Sequence, residues 1–168
     1  MIKSFILAIS TMVLLIGCSG QDASDLMNQA TDLQLDGKTA EALALYEQVA
    51  KDFKDAPEAP MAMYRCAQIY INEQKDPVKA ATTYELVAEK YPESEWGQKG
   101  LFAAAYTYAN EIGNLERGRE AYKKYLKQYP DSSMAETAKF ELDNLGKSPE
   151  EILQSLQSTP TADNNGNQ

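Results

Sequence analysis

The sequence predicts an all-α solenoid in which pairs of helices stack along one continuous core. Three observations predict it. Aromatic, small and proline residues recur at a fixed interval of 38 residues. Each interval holds two stretches with the apolar spacing of a helix, separated by turn residues. The composition, 43% apolar and 24% charged over 168 residues, is that of one soluble domain.

The repeat is plainest in "ALALYEQVAKDFKDAPEA", "KAATTYELVAEKYPESEW" and "RGREAYKKYLKQYPDSSM". Tyr46, Tyr84 and Tyr122 are spaced by 38, as are Phe53, Tyr91 and Tyr129, and Val49, Val87 and Tyr125. Another helical segment precedes each: "DLMNQATDLQLDG", "APMAMYRCAQIYINEQ" and "GLFAAAYTYANEIG". In the first unit Gly37 suits the left-handed residue after a helix, and Thr39 is expected to cap the next one. In the second, Asp76-Pro77 supplies a cap and a first-turn proline. In the third, Gly113-Asn114 supplies both the left-handed residue and the next cap. Pro92 and Pro130 stop the second helices, because proline biases the residue before it away from helical backbone.

Small residues at matching places (Ala30, Ala67 and Ala105 in the first helices; Ala42, Ala80 and Gly118 in the second) allow close approach within each pair. The tyrosine four residues on fills the wedge beside them. Beyond residue 131, Ser133 and Glu136 suggest a capping box for a further helix. Ser148, Pro149 and Glu151 suggest another. These two form a short closing pair over the end of the stack. Residues 158–168, "STPTADNNGNQ", lack apolar periodicity and are expected to be disordered.

The small-residue and tyrosine positions with the closing prolines resemble the tetratricopeptide repeat (TPR) over about residues 23–145. The usual period is about 34; four further residues add about one helical turn. The resemblance implies a TPR-like right-handed superhelix of antiparallel helix pairs, about three repeats plus the closing pair. The longer repeat with its "YP-S" ending looks like the envelope TPR families, the BamD-like outer-membrane assembly lipoproteins and the Tol-Pal-associated TPR proteins.

The amino terminus carries a separate signal. Lys3 is followed by a mostly apolar run, Phe5 to Ile16. A helix of that length is roughly 18 Å, too short for a bilayer core and suited to a signal peptide. "LIGC", Leu15 to Cys18, resembles the lipobox of bacterial lipoproteins. The resemblance implies cleavage after residue 17, acylation of Cys18 and a short tether over 18–22. The solenoid would then occupy 23–157. Ser19 after the cysteine implies export to the outer membrane, facing the periplasm.

Composition narrows the function. With 16 Lys+Arg against 25 Asp+Glu, the net charge of −9 argues against nucleic acid. The chain has no histidine and two cysteines, Cys18 and Cys66, without CxxC spacing. No metal site, cofactor, small-molecule substrate or enzyme activity is therefore expected. Cys66, on an apolar helix face, is expected to be a buried, inert thiol.

In TPR proteins the first helices line a concave groove. Projecting that pattern selects Met27, Thr31 and Gln34 from the first unit. It selects Met61, Tyr64, Gln68 and Asn72 from the second, and Lys99, Phe102, Tyr106 and Asn110 from the third. Aromatic groups offer contact area at low entropy cost, and side-chain amides pair with a guest backbone in either direction. The expected partners are peptide segments or helices of other cell-envelope proteins, with the acylated amino terminus in the membrane. The function expected is a lipid-anchored envelope scaffold in outer-membrane protein assembly. The alternatives are a Tol-Pal-like regulator of cell-wall synthesis or division, and a self-associating structural module.

Overall fold

The computed structural model describes residues 21–158. The signal segment, Cys18 and the last ten residues lie outside them. Helix pairs follow in chain order: α1 (Ala23–Leu35) with α2 (Thr39–Asp52), α3 (Ala59–Asn72) with α4 (Pro77–Lys90), and α5 (Glu95–Tyr106) with α6 (Leu115–Gln128). A π-helical turn, Thr107–Glu111, extends α5. The closing pair is α7 (Ala135–Asp143) and α8 (Pro149–Ser158). Each helix from α1 to α7 packs chiefly on its sequence neighbours, and α3 also meets α5. That is the one-dimensional stacking expected of a solenoid. Among the described residues no helix is long and apolar enough to cross a membrane.

Local chemistry sets the helix ends. The side chains of Asp76 and Asn114 accept the backbone N–H groups of Lys79 and Arg117 at 2.9 and 3.1 Å. Ser148 and Glu151 form a reciprocal box, with bonds of 2.7 and 3.2 Å. Two expected caps differ. Thr39 is the first residue of α2, behind Lys38, and makes no capping bond. The box expected of Ser133 and Glu136 is absent too, because α7 starts behind Met134, without a side-chain cap. The third first helix begins at Glu95 rather than Gly100, because Ser94 Oγ accepts the Gly97 N–H at 2.9 Å.

The first helices close in two ways. After α1, Lys38 N–H reaches Leu33 C=O and Gly37 N–H reaches Gln34 C=O, a Schellman ending with Gly37 at φ +77°. After α3 and α5 the closing bond spans one residue more, from Asp76 to Tyr70 and from Asn114 to Tyr108. The wider turn absorbs one residue, which is why Ala30 and Ala67 are 37 apart while Ala67 and Ala105 are 38 apart. The left-handed place is filled by Gly37, Lys75 and Gly113, and Lys75 holds φ +55°. A residue with a Cβ is strained there by about 1–2 kcal/mol. Lys75→Gly is therefore expected to raise stability by about 1 kcal/mol, measured as a higher midpoint in urea with unchanged slope.

The wedge residues are buried as a set. Ala30, Ala42, Ala67, Ala80 and Ala105 are fully covered, and Tyr46, Tyr84 and Tyr122 occupy equivalent interior places. Gly118 lies so close to Ala109 that an added Cβ would come within 2.9 Å of that residue's own. Fully burying a side chain this large contributes about 2–3 kcal/mol.

A second set of tyrosines ties one unit to the next. Tyr70 donates its hydroxyl to Glu47 at 2.6 Å, and Tyr108 donates to Glu85 at 2.8 Å. Lys79 lies 3.9 Å above the Tyr70 ring, and Arg117 lies 4.1 Å above the Tyr108 ring. Tyr91 donates to the Lys54 carbonyl and Tyr129 to the Pro92 carbonyl, at 2.9 and 2.8 Å. Every position of this ladder recurs after 38 residues, with Arg117 in the place of Lys79 and Pro92 in that of Lys54. Burial and then the Glu85 carboxylate push the Tyr108 hydroxyl up to about 12. It therefore stays a donor at neutral pH. The ladder stops at the next step, where Lys123 stands in the glutamate place and Gly146 in the tyrosine place. The closing pair is accordingly shallow: Ala138 is buried on α7, while Phe140, Leu153 and Leu156 are exposed.

Candidate functional site

The first helices place the projected groove residues in three different situations. Met27 is 4% exposed within the core and offers no surface to a guest. Gln34 Oε1 accepts the Tyr46 hydroxyl at 3.1 Å, and the Thr31 hydroxyl lies 3.3 Å from the Tyr46 hydroxyl oxygen. These three residues, Leu35 and Arg65 line a cavity of about 290 Å³. Arg65 in turn donates to Gln68 Oε1 at 2.9 Å. The amino-terminal part of the projected set is thus polar, with the Gln34 and Gln68 side-chain oxygens already accepting from Tyr46 and Arg65.

Its middle is aromatic. Tyr64 lies 5.0 Å from Tyr84 and 5.2 Å from Trp96, ring centre to ring centre, in tilted contacts. The Lys99 ammonium lies 4.6 Å over the Trp96 ring and pairs with Glu95. Burial raises the pKa of the Tyr64 hydroxyl, and Lys99 and then Arg65 pull it back. Tyr64, Trp96 and Lys99 are half-buried, so each keeps a free face. Met61 is half-buried against the core formed mainly by α1–α4.

The third unit contributes less than the projection suggests. The Phe102 ring is edge-on to Tyr122 and Tyr125, at 5.7 and 5.6 Å, and is mainly a packing residue. Tyr106 is 44% exposed. Beside it, the Tyr122 hydroxyl is buried without a partner among the described residues. Asn72 and Asn110 are exposed at the far ends of their helices, and Asn110 donates to the Tyr106 carbonyl at 3.2 Å.

The structure thus brings Gln34 near Arg65 and Gln68, and Tyr64 near Lys99. Two contributors were not among the projected residues. Trp96, the chain's single tryptophan, precedes Gly100, where the helix was expected to start; its signal was the three-residue spacing to Lys99. Arg65 lies one position beside Tyr64. Cys66 is 3% exposed, and burial pushes its thiol up to about 12, which leaves it protonated and unreactive at neutral pH.

Comparison with the curated proteins found no match. Family models do match: residues 27–95 fit one model and residues 100–132 another, each described as a tetratricopeptide repeat. The two stretches span more than half of the chain and coincide with α1–α4 and α5–α6. With its stacked helix pairs, this chain belongs to the tetratricopeptide-repeat family, whose members generally act as protein-binding scaffolds.

Proposed function

We propose that this protein is a lipid-anchored scaffold of the cell envelope that holds a segment of another envelope protein, in the assembly of outer-membrane proteins. The observation that carries the binding reading is the Tyr64–Trp96–Lys99 cluster. Aromatic faces backed by rigid packing lose little entropy on binding. A cation over the indole adds an electrostatic handle for a guest carbonyl or carboxylate. The lipobox-like Leu15–Cys18 supports the anchor, and the "YP-S" repeat ending, which resembles both envelope families, supports an envelope role. Exposed Phe140, Leu153 and Leu156 favour one second reading, self-association.

The test is photo-crosslinking in cells from positions 64, 96 and 106, combined with membrane fractionation. The expected result is capture of a β-barrel assembly component that is lost on Trp96→Ala, with Cys18→Ser releasing the protein from the membrane. Capture of cell-wall regulators would replace the assembly role, and capture of this chain itself would favour self-association. Unchanged fractionation of Cys18→Ser would remove the anchor.

A further inference from the structure

One cavity, of about 380 Å³, lies away from the groove, among α2, α3 and α4. Its α3 wall is Met63, Cys66 and Tyr70. At 3.6 residues per turn these side chains point about half a turn away from Met61, Tyr64 and Gln68. Ala50 adds to this apolar lining, and Lys51, Lys54 and Lys90 also line the cavity. The Tyr91 hydroxyl bond to the Lys54 carbonyl draws the end of α4, and with it Lys90, toward the end of α2. Among the described residues none of these lysines forms an ion pair. The lining carboxylate is that of Glu47, which already accepts the Tyr70 hydroxyl. An acidic chain has here gathered three uncommitted cations around an apolar wall.

The protein's own repeat provides the comparison. Moving every lining position on by 38 residues gives the junction of α4, α5 and α6. There Lys51, Lys54 and Lys90 become Glu89, Pro92 and Gln128, while Tyr70 and Glu47 remain Tyr108 and Glu85. The wall also differs. Leu101 and Ala121 are buried where Met63 and Thr83 are half-buried. The scaffold residues are thus repeated and the lysines are not. Lysine at a helix end complements the helix dipole, and α2, α4 and α6 each carry one in the last turn, Lys51, Lys90 and Lys127. The dipole does not account for Lys54, which lies beyond the end of α2, nor for the meeting of three lysines at one cavity.

We infer that this cavity binds an acidic peptide, taking a carboxylate between the lysines and an adjacent apolar side chain against Met63 and Tyr70, on the face of the stack opposite the groove. The volume is near the lower end of organic ligand sites, about 300 Å³, and suits one or two side chains. The lysines come from two successive repeats, which favours an extended guest over a single compact anion.

The experiment is a titration of the full chain, held in detergent and labelled with ¹³C at the methionine methyls, with blocked Glu-Leu-Glu-Leu. The Met63 signal is assigned by Met63→Leu. Met63 should shift saturably while Met61 stays. The triple variant Lys51→Gln/Lys54→Gln/Lys90→Gln should bind at least ten-fold more weakly, and the triple arginine variant should retain binding. Blocked Gln-Leu-Gln-Leu should leave Met63 unmoved. A static Met63, movement of Met61 instead, or unweakened binding by the glutamine variant would overturn the site. Hexanoate moving Met63 at concentrations no higher than the peptide would overturn the peptide as occupant. Met61 and Met63 report on opposite faces of α3, so failure here is distinct from failure of the groove.

Discussion

Gly97→Ala is expected to destabilise the protein by about 3 kcal/mol or more, lowering the melting temperature by roughly 6–12 °C for a domain of this size. A Cβ built on Gly97 would lie 2.0 Å from the Tyr91 carbonyl oxygen and 2.9 Å from its carbon. Both are backbone atoms, so no side chain can swing aside. The same carbonyl accepts the Ser94 N–H and hydroxyl, at 3.0 and 2.8 Å. Relief would have to move the start of α5, taking with it the Trp96 ring and the Ser94 cap. Gly113→Ala is the control: its φ of +73° strains any side chain, but nothing lies within 4 Å. That variant should lose about 1–2 kcal/mol. Urea denaturation of both decides the matter, and equal losses would show that close approach at Gly97 is not the constraint.

Tyr125→Val should cost about 3 kcal/mol, although valine is what the first two repeats carry at this place. Val49 and Val87 are fully buried, and so is Tyr125. Its ring, however, contacts Phe102 and Tyr129, the latter at 5.4 Å, and its hydroxyl lies 2.8 Å from the Ser132 hydroxyl. The third unit has only the shallow closing pair beyond it, so one larger residue fills space that a full repeat would otherwise occupy. Valine would leave a cavity bounded by rings that cannot collapse into it. A loss below about 1 kcal/mol in calorimetry would show that the closing pair repacks, since volume-conserving rearrangement limits such costs.

What could be read from the residues alone was whatever depends on near neighbours in the chain or on repetition. The Ser148–Glu151 box, the Asp76 and Asn114 caps and the tyrosine wedge are of this kind. The Thr39 and Ser133 caps failed because the chain enters each of those helices one residue away, through Lys38 and Met134. The ladder from Tyr70 to Glu47 spans 23 residues, and nothing local to either residue announces it. The groove was legible as a face of the first helices, but not by occupancy. Periodicity put Met27 and Tyr64 on the same side, and only the stack decides that one is interior and the other keeps a free ring face. Trp96 was missed because the helical segment was drawn from Gly100, so its three-residue spacing to Lys99 went unused; Gly100 and Gly97 are places where α5 presses on the backbone of α4 and of the turn after it.

The interlocking tyrosine joints bear on how the array could lengthen. Because donor, acceptor and overlying cation recur with the same 38-residue step, the upstream edge of one module is chemically the same as that of the next. A duplicated segment spanning residues 77–114 would carry its own Tyr108–Glu85 bond, and at the joint would set its Lys79 over the Tyr108 ahead of it and offer its Tyr91 hydroxyl to the Pro92 carbonyl ahead of it. Elongation by internal gene duplication would thus need no new joint, and the Lys123 and Gly146 that interrupt the series act as its stop signal.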